Sequence, residues 1–118
     1  MLTILFVILF AVCNAIMDVL QFRYSTSVFK SMSAAYWDPK LSWKNKWKNG
    51  NSNEGENFIG SSTIFVFMTD AWHLAKSLML LFICLAIVFY SPMFGLIIDF
   101  LIIRVLIGLT FELFWRIL

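Results

Sequence analysis

Apolar positions run along the chain in long, nearly unbroken stretches separated by one polar interval, and this pattern predicts three helices. The first stretch covers residues 1–22. At roughly 1.5 Å per residue it reaches across a hydrocarbon core of about 30 Å. Ser77 to Tyr90 is strongly apolar but, at 14 residues, too short to span alone. Extending it back through Thr63-Ile-Phe-Val-Phe-Met-Thr-Asp-Ala-Trp-His-Leu-Ala-Lys supplies the missing length. Gly60-Ser61-Ser62-Thr63 reads as a helix start and Ser91-Pro92 as its end, which predicts one long helix over 60–91. The third stretch runs over 92–118, and so short a link makes the second and third helices an antiparallel hairpin.

Polar residues inside these stretches form stripes. Asn14, Asp18, Gln21 and Ser25 share one face of the first helix. On the predicted second helix Thr63, Asp70 and Ser77 recur at sevens, with His73 beside Asp70. Counting from the inner boundary puts Asp18 about 6 Å deep and His73 about 5 Å deep, with Glu112 of the third helix returning to the same level. The expectation is a buried polar cluster of Asn14, Asp18, Asp70, His73 and Glu112. Asp99 and Arg104 do not share the stripe of Glu112, and are expected to form intramembrane pairs or to meet charges on a neighbouring chain.

Composition changes the picture by naming the solvent. Apolar residues make up 61% of the 118 and charged residues 14%, against about 45–50% and about 25% in soluble domains. The fold class expected is therefore an all-α integral membrane protein with three transmembrane helices, the lipid bilayer being its first partner. The opening residues lack the basic segment that precedes the apolar core of a signal peptide, so they are read as a retained span. Cys13 and Cys84 both lie in apolar runs and read as small core residues.

Charge gives the orientation. Residues 23–59 hold six of the nine Lys and Arg, against Asp38, Glu54 and Glu56. By the positive-inside rule this loop and the C-terminus are cytoplasmic and the N-terminus is outside. Trp37, Trp43 and Trp47 stand among the lysines. Bases could stack on such aromatics, but a loop tethered to the bilayer at both ends favours an interfacial belt, and no nucleic-acid partner is expected. Asn49 to Gly55 reads as an exposed turn.

Three readings of the intramembrane polar residues stay open. Carboxylates with one imidazole suit a divalent metal (Zn²⁺, Mn²⁺ or Fe²⁺, with Asp18, Asp70 and His73 as candidate ligands), or an ion or proton path. The near balance of acids and bases instead suits structural pairing within an accessory or pore-forming protein, Glu112 and Arg116 being spaced i, i+4. Acid–base chemistry on a lipid headgroup is the third. No hydrolase, metalloprotease or phosphate-loop motif is present, so enzymatic activity is not the leading expectation. Unsheltered charges on the third helix point to a homo-oligomer or a subunit of a larger membrane complex. The stretches Ser42-Trp43-Lys44-Asn45-Lys46-Trp47-Lys48, Ser61-Ser62-Thr63 and Thr69-Asp70-Ala71-Trp72-His73 resemble small uncharacterised polytopic membrane proteins of bacterial and phage genomes, a resemblance that implies no activity and transfers no functional residue.

Overall fold

The computed structural model describes all of Met1–Leu118 and is helical throughout, its one β-type contact being the isolated bridge between Trp47 and Glu56. Helix α1 spans Leu2–Arg23, α2 Ala34–Trp37, α3 Pro39–Ser42, α4 Ala71–Val88 and α5 Leu96–Ile117. By length and composition α1 and α4 can cross a membrane. The 22-residue α5 is as long as α1, but carries Asp99, Arg104, Glu112 and Arg116.

The second long helix is shorter than the sequence predicts. It starts at Ala71, not near residue 60, because Asp70 has extended backbone and its carboxylate accepts the His73 N–H at 2.8 Å, which is N-cap geometry. Upstream, Gly60 turns the chain at φ +81° and the β-branched and aromatic run that follows folds into turns and a 3₁₀ segment over Val66–Met68. The stripe of Thr63, Asp70 and Ser77 therefore does not lie on one helix.

The expected α4–α5 hairpin is also revised. The two helices do run antiparallel, but α1 lies between them and packs along both. At one end of the α1–α4 seam Thr3 Oγ1 donates to the Ala86 carbonyl at 3.1 Å, and Phe6 stacks on Phe82 and Phe89. At the other end Val19 and Leu20 share a core cluster with Ala71 and Phe29. Thr3, Val7, Ala11, Ala15 and Val19, all buried, recur every fourth residue along α1. Their small members, with Ala75 and Ala86 of α4, let the two backbones approach closely. On its other side α1 runs parallel to α5, and Arg23 donates to the Trp115 carbonyl at 2.6 Å while lying 4.8 Å over the Trp115 ring. Three helices abreast make a flat body, with extents of 54 × 32 × 17 Å.

The connection between α4 and α5 is tied by Asp99, which is buried and accepts hydrogen bonds from Tyr90 Oη and the backbone N–H groups of Met93 and Phe94 at 2.9, 2.9 and 3.0 Å. The interval between α1 and α4 is a folded cap of short turns. Val28 N–H donates to the Leu118 carbonyl at 2.7 Å, fastening the cap to the end of α5. Phe29 stacks on Trp37 at 4.9 Å, so the half-buried Trp37 packs against the core of the cap. Asn45 bridges the carbonyls of Ala35 and Thr69, and the Ser61 hydroxyl donates to the Lys46 carbonyl at 2.7 Å.

Candidate functional site

The expected five-residue cluster divides into three separate groups. Asn14 and Asp18 line a groove between α1 and α5, whereas Asp70 and His73 begin α4 on the other side of α1. Glu112 lies on an exposed face of α5, paired with Arg116 at 2.7 Å. The separation follows from the helix order: equal depth does not bring side chains together when α1 stands between them. No three His, Cys, Asp or Glu side chains are grouped closely enough to hold a metal ion, so Asp18, Asp70 and His73 do not form a joint ligand set. Asp99 and Arg104 are not paired either, because the local N–H and hydroxyl donors occupy the Asp99 carboxylate.

The best-formed group is at the base of α4. Asp70 is 2% exposed and works in two directions at once. One carboxylate oxygen caps the helix through the His73 N–H; the other lies 2.8 Å from His73 Nδ1 and accepts from Thr69 Oγ1 at 3.2 Å. A neutral imidazole donating from Nδ1 leaves Nε2 as an acceptor. Nε2 has no partner within the chain, and the one buried side-chain polar atom without a partner is Arg23 Nε, so Nε2 is open to the surface. Trp72 sets the imidazole edge-on at 5.0 Å, and the Lys76 ammonium lies 5.3 Å from the same indole.

His73 borders two grooves. The smaller, about 80 Å³, lies toward the cap beside Ser42 and Trp43. The larger, about 310 Å³, is amphipathic: Thr63, His73, Lys76 and Ser77 supply its polar side, and Ile64, Val66, Phe67 and Leu80 its apolar side. Tyr36 stands close enough to Asp70 for the carboxylate, after burial, to push its phenol above the usual range. Chemically, the arrangement offers a fixed proton acceptor beside one cation, at the edge of an apolar wall.

The remaining tryptophans carry no such geometry. Trp43 is exposed with Lys44 near its ring, and Trp47 is half-buried with Lys46 above it at 5.8 Å. Sequence reasoning identified the Asp70–His73 spacing as one helical face but missed its capping role. The signal was available, since a good N-cap residue three positions before a side chain able to bond back is the pattern of a capping box. The tie of Asp99 to Tyr90 and the Arg23–Trp115 contact had no sequence signal. Comparison of the chain with known proteins finds no matching family model, no matching curated protein and no matching solved structure.

Proposed function

We propose that this chain is an integral membrane protein of three spanning helices that binds the headgroup of an anionic amphiphile beside His73 and Lys76, with the Asp70-oriented imidazole as the proton acceptor. The observation that carries the reading is the open Nε2 of His73 at the edge of a groove that is polar on one side and apolar on the other. A headgroup with its acyl chain needs both surfaces together.

The membrane part draws on apolar exposure. Leu80, Leu81, Ile87 and Val88 on α4, and Ile97, Phe100, Leu101, Val105 and Leu109 on α5, each expose about half or more of their surface and must be covered by something other than water. The charges of α5 fit a third span. Asp99 is satisfied locally and Glu112 pairs with Arg116 near the helix end, leaving Arg104 as the one isolated charge. Residues 59–68 present Ile59, Ile64, Phe65 and Met68 to the outside beside the base of α4, which suits a segment lying at headgroup depth.

The test is a binding titration of purified protein with short-chain phosphatidylglycerol and phosphatidylcholine. The anionic lipid should bind more tightly, and Lys76→Ala should weaken that preference by about 1 kcal/mol, roughly fivefold. His73→Gln should retain binding but lose any proton uptake coupled to it. Equal affinity for the two lipids, unchanged by Lys76→Ala, would overturn the proposal. The membrane part is read separately, by retention of the chain in membranes washed with alkaline carbonate.

A further inference from the structure

Arg104 and Asp18 line the same groove of about 430 Å³ between α1 and α5, together with Asn14, yet the chain's ion pairs are elsewhere. Neither charge has a salt-bridge partner within 4.0 Å, and Arg104 is exposed. The guanidinium is not thrown out at random. A methyl group at position 108 would stand 3.6 Å from Arg104 Nη1, so the side chain folds over Gly108, one turn toward the C-terminal end of α5. Because α1 and α5 run parallel, that fold carries the positive charge toward the depth of Asp18. Acid, base and amide then line one groove, together with Phe10, Ile107 and Phe111.

We infer that this groove is the interface between two copies of the chain, in which Asp18 of each copy pairs with the partner's Arg104. The inference rests on the membrane part of the proposed function and not on the headgroup site. Copies inserted in one orientation are related by an axis along the membrane normal, which keeps every residue at its own depth. A two-fold interface is self-complementary when each copy offers one acid and one base at matching depth, and this groove offers that set. An anionic lipid would neutralise Arg104 but place its own charge beside Asp18. A second copy satisfies both charges and covers the groove's apolar residues at once.

Charge exchange between differently tagged copies, co-purified from carbonate-washed membranes, separates pairing between chains from pairing within one. Wild-type copies should co-purify. Asp18→Arg alone and Arg104→Asp alone should each lose most of that association, because each homodimer would set like charges together. Mixing the two variants should restore it, since every cross-chain contact is then acid to base. The double substitution in a single chain should associate as wild type does and shows that the altered helices still fold. Failure of the mixed variants to pair, or recovery of wild-type single copies carrying bound lipid in native mass spectra, overturns the interface while leaving the membrane reading intact. Release of the wild-type chain by carbonate overturns both.

Discussion

At the scale of single residues, Asp70 has two jobs that one substitution can separate. Its carboxylate, itself buried, caps α4 and orients the part-exposed His73. Asparagine caps helices about as well as aspartate, whereas alanine forfeits about 1–2 kcal/mol. Asp70→Ala should therefore lower unfolding stability in mixed micelles by that amount. Asp70→Asn should leave stability within a few tenths of a kcal/mol, roughly, and still remove any proton uptake coupled to the proposed lipid binding. Equal loss of stability in both variants would mean that the charge, not the cap, holds the site. Glu56 shows a second residue-scale effect, in the cap. The Ser62 hydroxyl and the Gly60 N–H hold its carboxyl below the usual range. A lowered folded value stabilises the 56–62 turn above the ordinary glutamate value, near 4.3, and the effect is lost as pH falls through the folded value. The Gly60 and Ser62 amide resonances should hold their positions at about pH 5 and move only below the ordinary glutamate range, whereas Glu56→Gln should remove that step.

At the scale of elements, α1 bears the packing of the whole body, so its small residues should be the least replaceable. Ala11 and Ala15 are fully buried on the stripe that faces α4. Enlarging Ala15 to Leu forces α1 and α4 apart and should cost about 1–3 kcal/mol in denaturant unfolding, while Leu5→Ala, on an exposed position of the same helix, should cost under about 0.5 kcal/mol. A larger loss at Leu5 would mean that a protein surface, not lipid, covers that face. The long helices were legible because a continuous apolar run leaves the backbone few alternatives: α1 and α5 occupy the stretches predicted at 1–22 and 92–118. The start of α4 was not, since the apolar pattern continues through Phe65 to Met68 while a local Asp70 cap decides where the helix begins. Depth along each helix was legible as well, because rise per residue is fixed. Position around the bundle was not. That coordinate depends on which helix stands in the middle, and it separates Asp18 from His73 despite their similar depth. The Asp70–His73 pair survived as a unit because three residues of spacing fix both coordinates.

At the scale of the molecule, the body is asymmetric from end to end, and that asymmetry sets how it should insert. Lys30, Lys40, Lys44, Lys46 and Lys48 lie in the cap, at the end where α1 and α5 finish, and the opposite end carries the Tyr90–Gly95 connection without a basic residue. Each lysine near an anionic leaflet contributes about 1 kcal/mol, which favours the cap on the cytoplasmic side. The cap is also folded and pinned to Leu118, so it should not be drawn across a bilayer readily. Single cysteines placed at exposed Ser52 and exposed Ser91, in a chain whose Cys13 and Cys84 are replaced by serine, test this with a membrane-impermeant maleimide. Intact cells should label the Ser91 position and spare Ser52; inverted vesicles should do the reverse. Labelling of Ser52 alone in intact cells would turn the molecule over while keeping the number of spans. Equal labelling of the two sites would place both on one side, which α4 as a spanning helix does not permit, and would leave the apolar faces of α4 and α5 to be covered by protein instead of lipid.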